Sequence, residues 1–135
     1  MSRPPTPTIL VVDDDPAIPT LMRQVLRGEG YHVVVASAPE AAGTILATLR
    51  CALVLTDTLN ATDRADPDCW DGLAAIRDAA RGTPVTIFSA HHLDVFEGYA
   101  ARGFAGVISK PFDLDGLLAT IQATLRPAPR TLQAE

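Results

Sequence analysis

Short apolar runs alternate along the chain with longer segments of helical periodicity. Five runs are rich in Val and Ile and too short for helices, and they cover residues 9–12, 31–36, 52–56, 85–88 and 106–109. Between them, apolar residues recur every three or four positions, as in amphipathic helices. The alternation predicts an α/β fold with five strands.

Continuous apolar runs also indicate how the strands are covered. The runs at 9–12, 52–56 and 85–88 lack polar alternation, as expected for a parallel sheet with helices on both faces. Right-handed crossovers place successive helices on one face or the other. We therefore expect a doubly wound parallel sheet.

Length and composition favour one domain with short tails. The chain has 135 residues, and several prolines lie near its ends. We expect a domain over residues 8–125, with tails at 1–7 and 126–135.

No apolar run is long enough for a membrane span or has the form of a signal peptide, so we expect a cytoplasmic protein. The two cysteines, Cys51 and Cys69, are expected to be reduced and free.

Charge argues against direct nucleic-acid binding. Sixteen acidic residues against eleven basic ones give a net charge of -5, which phosphate groups repel. Lys110 is the sole lysine among these basic residues, which gives its position particular interest.

The first helix has recognisable signals at both ends. Asp15 suits an N-cap with Pro16 at the first helical position, and Gly28 or Gly30 can end the helix in a left-handed conformation. Pro19 is less expected, so the helix either begins there or starts distorted.

Polar side chains follow several of the predicted strands. In doubly wound sheets the functional cleft lies at the carboxyl ends of the strands. The residues that reach this edge are Asp13 and Asp14 after the first strand, Asp57 after the third, Ser89 after the fourth and Lys110 after the fifth. Each alone is a common turn or cap residue, but their convergence predicts one site.

Crowded carboxylates at this edge would repel one another unless a hard divalent cation neutralised them. Mg²⁺ is the natural candidate, because it takes a few carboxylates and keeps positions for water or a phosphate oxygen. Together with Lys110 it would balance the three carboxylates Asp13, Asp14 and Asp57. The pattern thus predicts a magnesium site that accepts a phosphoryl group.

Over about residues 8–125 the sequence resembles the receiver domain of two-component response regulators. The motifs that carry the resemblance are ILVVDDD at 9–15, LVLTD at 53–57, DGL at 71–73, PVTIFSA at 84–90 and SKPF at 109–112. The resemblance implies a flavodoxin-like sheet of strand order 2-1-3-4-5 with five helices. It also implies a domain that catalyses its own phosphorylation and slow autodephosphorylation without being a classical enzyme.

The resemblance further implies a role for each site residue. Asp57 would be the phosphoacceptor and a metal ligand, Asp14 would bind Mg²⁺ directly, Asp13 would help through water, and the Leu59 carbonyl would be another ligand. Lys110 would pair with Asp57 and then with a phosphoryl oxygen, to which the Ser89 hydroxyl would also donate. The implied partners are a sensor histidine kinase or phosphotransfer domain and an unknown output protein. A monomer or a phosphorylation-dependent homodimer is expected.

Three departures from the family pattern stand out. Val107 occupies the position three residues before Lys110 where receiver domains usually carry Tyr or Phe, so the usual coupling of phosphorylation to the output face is in doubt. The loop after Asp57 is expected to extend over 58–71, and the third helix is expected to be about one turn shorter than usual.

Leu59 and His91 occupy positions that in this family affect how fast water removes the phosphoryl group.

Two alternatives to a phosphorylated switch differ in how well the sequence supports them. A pseudo-receiver that signals only by protein contact is supported by Val107 and the altered loop, but opposed by the complete set of site residues. A phosphatase with an aspartate nucleophile needs an acidic residue two positions after that nucleophile. Leu59 stands there, so the phosphatase is excluded.

Overall fold

Strands and helices alternate along the chain as predicted. The computed structural model describes residues 7–13, 17–57, 67–89, 98–109 and 114–125. Its elements are β1 (Thr8–Val12), α1 (Ala17–Gly28), β2 (His32–Ala36), α2 (Pro39–Thr48), β3 (Leu53–Thr56), α3 (Pro67–Ala80), β4 (Val85–Ser89), β5 (Gly106–Ser109) and α4 (Leu114–Leu125). The additional helix predicted between β4 and β5 falls on residues 90–97, outside the described ranges.

The five strands form one parallel sheet in the order β2-β1-β3-β4-β5. This order confirms the predicted topology, and each strand bound lies within one residue of its predicted position. The continuous Val and Ile runs made the strand positions predictable, because both faces of every central strand must be apolar, whereas the strand order was implied by the resemblance.

The core is divided into two layers by the sheet. In β1, Leu10 and Val12 pack with residues of α2 and α3, whereas Ile9 and Val11 pack with residues of α1 and α4. Successive side chains on a strand point to opposite faces, so a single apolar strand contributes to both layers. All residues of β1 after Thr8 are fully buried, which ties this central strand to both layers at once.

Helix α1 accommodates its proline near the N-terminus. It begins at Ala17, so Pro19 is the third helical residue. The first four amides of a helix have no partner within the helix, and the missing N–H of proline therefore costs little there. The predicted cap at Asp15 lies outside the described ranges.

The end of α1 follows the predicted left-handed turn. Gly30 has φ +93°, its N–H donates to the carbonyl of Arg27, and the N–H of Tyr31 donates to the carbonyl of Leu26. These two bonds form a Schellman motif, which satisfies carbonyls at the helix C-terminus.

The prediction of a loop over residues 58–71 was wrong for its last five residues, whereas residues 58–66 lie outside the described ranges. α3 begins at Pro67 and has 14 residues, so residues 67–71 are helical and do not belong to a loop. Proline is favoured at the first helical position, where its fixed φ suits a helix and its missing N–H is not needed. The acidic residues around it had suggested a loop.

No helix in the described ranges is long and apolar enough to cross a membrane.

Cys51 lies just before β3 and is a buried, free cysteine, as predicted. Burial raises the pKa of its thiol, because desolvation disfavours the thiolate. The thiol is therefore protonated and poorly reactive near neutral pH.

Arg77 joins α3 to the turn that precedes β5. Its Nη1 donates to the carbonyl of Arg102 at 2.7 Å, and its Nε and Nη2 donate to Asp78 Oδ1 at 3.1 and 3.0 Å. The guanidinium also lies 5.9 Å from the centroid of the buried Phe104 ring, within cation–π range. Gly103, with φ +93°, lies against the same side chain.

We predict that Gly103→Ala destabilises the fold more than Gly30→Ala. Both glycines have φ +93° and lie at the same position of a Schellman motif, so both variants carry the strain of a left-handed alanine, about 1–2 kcal/mol. A Cβ on Gly103 would come within 2.9 Å of Arg77 Cδ, whereas one on Gly30 meets nothing within 4 Å. The crowding should add about 1–3 kcal/mol.

Urea unfolding of both variants and the wild type gives the free energies needed for this comparison. Equal losses in the two variants would mean that Arg77 moves aside freely and does not restrain this turn.

Candidate functional site

The parallel pairing of β1 with β3 aligns two acidic residues at one edge of the sheet. Val12 and Thr56 are partners in the register, and they are directly followed by Asp13 and Asp57. Neighbouring strands lie about 4.8 Å apart. We call the edge formed by the carboxyl ends of the strands the acceptor edge. The register thus brings these two acidic residues to the ends of neighbouring strands.

The backbone of Asp57 is fixed to the neighbouring strand. Its N–H donates to the carbonyl of Val12 at 2.8 Å, one residue beyond the end of β3. The hydroxyl of Thr56, which is fully buried, donates to the carbonyl of Asp57, also at 2.8 Å. Asp57 itself is half-buried, and its main chain is held by these two hydrogen bonds.

The role of Thr56 was missed by the sequence analysis, which counted it only as a strand residue. The available signal was a hydroxyl at the end of an otherwise wholly apolar buried strand. A buried hydroxyl needs a partner, and the adjacent carbonyl supplies it. Thr56 therefore acts on Asp57 through the backbone.

Asp13 is the more deeply buried of the two acids, with 2% of its surface exposed. Its N–H donates to the carbonyl of Ala36 at 3.0 Å, which extends the pairing of β1 with β2 by one residue. Removing a carboxylate from water is costly unless positive charge or hydrogen bonds compensate. A carboxylate at this depth next to Asp57 favours the binding of a cation.

The other half of the predicted site follows β4 and β5. Ser89 and Ser109 are register partners and the last residues of their strands. Lys110 follows Ser109 directly in the chain. The ends of β4 and β5 are thus neighbours at the acceptor edge, and β4 lies directly beside β3.

Several predicted site groups lie outside the described part of the molecule. They are Asp14, Leu59, Lys110, His91 and the hydroxyl of Ser89. Within the described ranges, no three His, Cys, Asp or Glu side chains form a group that could hold a metal. Asp13 and Asp57 contribute two hard oxygen donors, the ligand type that Mg²⁺ prefers. The described donors therefore fit this metal but make up only part of the predicted set.

Val107 takes the position of the expected aromatic residue in the middle of β5. It pairs with Ile87 of β4, is half-buried and packs on the layer formed with α2 and α3. A valine side chain has few rotamers and no ring that could swing between an inner and an outer position. The geometry of β5 is therefore that of an ordinary edge strand at this position.

The family model described as "Response regulator receiver domain" matches residues 9–122 of the chain. The DNA-binding transcriptional regulator NtrC of Rhizobium meliloti is 34% identical over 119 residues, which are 87% of this chain and 24% of that protein. The DNA-binding response regulator MtrA of Mycolicibacterium smegmatis is 33% identical over 120 residues, 87% of this chain and 50% of that protein. The chain thus spans half or less of these relatives.

Solved structures agree with this match over almost their whole length. A response regulator from Thermotoga maritima has a TM-score of 0.77 at 26% identity, covering 90% of this chain and 98% of that one. The receiver domain of NtrX from Brucella abortus has a TM-score of 0.74 at 27% identity, covering 89% and 99%.

Proposed function

Because this chain belongs to the response regulator receiver domain family of two-component signalling, we propose that it accepts a phosphoryl group on Asp57 and signals through the resulting change in its surface. The N–H of Asp57 bonded to the Val12 carbonyl carries this proposal, because it holds an accessible carboxylate beside the buried Asp13. The proposed donor is a phosphohistidine of a sensor kinase or a phosphotransfer domain.

Transfer requires little acid–base chemistry from the protein. A carboxylate oxygen of Asp57 attacks phosphorus in line with the P–N bond, that bond breaks, and the histidine keeps the electron pair. The product is an acyl phosphate, with one new O–P bond and no net change in the phosphoryl group. Thr56 holds the Asp57 backbone through its hydroxyl, which limits the loss of orientation before attack.

Positive charge must offset the phosphoryl oxygens during transfer. We assign to Asp13, Asp14, Asp57 and the Leu59 carbonyl the binding of Mg²⁺, which would supply two positive charges at the acceptor edge. Lys110 is proposed to pair with Asp57 before transfer and with a phosphoryl oxygen afterwards. Ser89 is proposed to donate its hydroxyl to another phosphoryl oxygen.

The output is proposed to be a protein contact in the cytoplasm. The relatives NtrC and MtrA are DNA-binding proteins by name, but this chain spans only part of each. With a net charge of -5, the chain itself is not proposed to bind nucleic acid. A phosphorylation-dependent homodimer is one form that the contact could take.

We predict that Asp57→Asn abolishes labelling by a small phosphodonor such as phosphoramidate. The amide is close in shape to the carboxylate but is a poor nucleophile, so no acyl phosphate forms. Incorporation is measured by intact-protein mass spectrometry with Mg²⁺ present. The matched control is Asp115→Asn, which neutralises an exposed acid on α4 and should label like the wild type.

Labelling of Asp57→Asn at the wild-type level would show that Asp57 is not the acceptor. Absence of labelling in the wild type itself would favour the second candidate, a pseudo-receiver that binds partners without phosphorylation. The replacement of the usual aromatic residue by Val107 is the observation that favours this candidate.

We predict that Mg²⁺ stabilises the wild type and that Asp13→Asn loses most of this gain. A ligand bound only by the folded state contributes about 2.7 kcal/mol at a hundred times its dissociation constant. Asp13 is buried at the acceptor edge, so its charge should act strongly on a bound cation. Thermal unfolding with and without Mg²⁺ measures the gain for each protein.

Glu29→Gln serves as the control for this metal dependence, because Glu29 is an exposed acid just after α1, at the opposite end of the sheet. An equal gain from Mg²⁺ in Asp13→Asn and Glu29→Gln would remove Asp13 from the metal site.

We predict that phosphorylation perturbs β5 and α4 only weakly. Val107 has no ring to turn inward when the Ser89 hydroxyl moves toward the phosphoryl group. Backbone amide spectra with Mg²⁺ and beryllofluoride should therefore change mainly near Asp13, Asp57 and Ser89. Asp57→Asn under the same conditions corrects for binding elsewhere. Large shifts throughout Gly106–Ser109 and Leu114–Leu125 would contradict this prediction.

A further inference from the structure

A groove of about 360 Å³ lies between the C-terminal ends of α2 and α3. It belongs to two chain segments, residues 46–51 and 80–83, which lead into β3 and β4. The residues of interest around it are Leu46, Leu49, Arg50, Cys51, Arg81 and Thr83. Its volume is in the range of sites that bind small molecules.

The charge around this groove is entirely positive among the described residues. Arg50 and Arg81 both line it and are both exposed, and no acidic residue lines it. Neither guanidinium forms an ion pair or hydrogen bond with any residue in the described ranges. The nearest acid along α3, Asp78, already accepts two bonds from Arg77. Two arginines are thus available to an anion.

The remainder of the groove is apolar or already hydrogen-bonded. Leu49 is 38% exposed, and Cys51 and Ala80 are buried apolar residues of the lining. The hydroxyl of Thr48 donates to carbonyls within α2, and that of Thr83 donates to the Cys51 carbonyl at 3.4 Å. A ligand would therefore find two cationic donors beside an apolar surface.

The backbone of Arg81 is left-handed where this residue lines the groove. Arg81 has φ 52°, and it is the one non-glycine residue with positive φ in the described ranges. A left-handed conformation costs an ordinary residue free energy and is usually occupied by Gly or Asn. Gly82, which follows directly, is also left-handed, with φ +93°. The turn after α3 therefore contains two consecutive left-handed residues.

We propose that this groove binds a small oxyanion, a carboxylate or a phosphate ester, that carries an apolar group. Arg50 and Arg81 would hold the anionic head by charge-assisted hydrogen bonds, for which the planar guanidinium is suited. The apolar part would cover Leu49 and its neighbours. The groove is too small for a folded domain, so we assign it to a small molecule.

This second site is separate from the acceptor edge. Cys51 precedes β3 and Thr83 precedes β4, whereas Asp57 and Ser89 stand at the other ends of these strands. A strand of four or five residues spans roughly 15 Å. Binding in the groove therefore requires neither Mg²⁺ nor phosphorylation, and it goes beyond the proposed function.

The test is a titration of the full chain with hexanoate and hexyl phosphate, without Mg²⁺ and at constant ionic strength. Backbone amide and arginine Nε–H resonances report the binding site. We expect saturable shifts at residues 46–51 and 80–83, with a dissociation constant on the order of millimolar for so small a ligand. The probe with the lower dissociation constant identifies the preferred anionic group, carboxylate or phosphate.

Four comparisons make the test decisive. Arg50→Gln combined with Arg81→Gln should weaken binding about tenfold or more, because charge-assisted bonds are lost. Arg23→Gln combined with Arg27→Gln, which removes two exposed arginines of α1, should leave binding unchanged. Hexanol, which lacks the anion, should bind about tenfold more weakly than hexanoate. Asp57→Asn should bind the probes like the wild type, because the groove does not include the phosphoacceptor. The two proposals can therefore fail independently of each other.

The proposal is overturned by shifts that do not saturate, by shifts spread over all arginines, or by equal binding of hexanol and hexanoate. It is also overturned if the variant lacking Arg50 and Arg81 unfolds more easily while the wild type binds neither probe. In that case the two arginines only stabilise the C-terminal ends of α2 and α3 through their positive charge.

Discussion

The register between β1 and β3 determines where two acidic residues of the candidate site lie. It sets Val12 opposite Thr56 and thereby brings Asp13 and Asp57, which are distant in sequence, to the ends of neighbouring strands. A shift of this register by one residue would exchange the two faces of β3 and move its side chains into the wrong layers. The hydrophobic layers and the acceptor edge therefore depend on the same alignment.

Burial on both faces explains why the sheet could be predicted from the sequence so closely. A strand covered on both sides must be apolar at every position, so each of the central runs stands out against its polar surroundings. The same condition makes a polar residue in such a strand informative. Thr56 and Thr86 are both buried, and the Thr56 hydroxyl fixes the backbone of Asp57. The sequence contained this signal, but its meaning required the position of the neighbouring carbonyl.

Other features could not be predicted because they depend on contacts between distant segments. The start of α3 at Pro67 could not be predicted, because the acidic residues around it occur both in loops and in first helical turns. The contacts of Arg77 with the Arg102 carbonyl and the Phe104 ring join segments that have no common sequence pattern. The position of Asp13 and Asp57 at neighbouring strand ends could be expected from the sequence, because the carboxyl ends of parallel strands lie at one edge of the sheet.

Parallel topology also gives the two ends of the sheet opposite electrostatic character. Each connection between parallel strands must return the chain to the starting end of the sheet, so the helices run antiparallel to the strands, with their N-termini at the acceptor edge and their C-termini at the other end. The partial positive charge of helix N-termini favours carboxylates and phosphoryl groups at the acceptor edge. At the opposite end the helix dipoles disfavour anions, and any anion bound there must rely on side chains. Arg50 and Arg81 provide that charge where α2 and α3 end, so the groove between them depends on two residues and not on the fold.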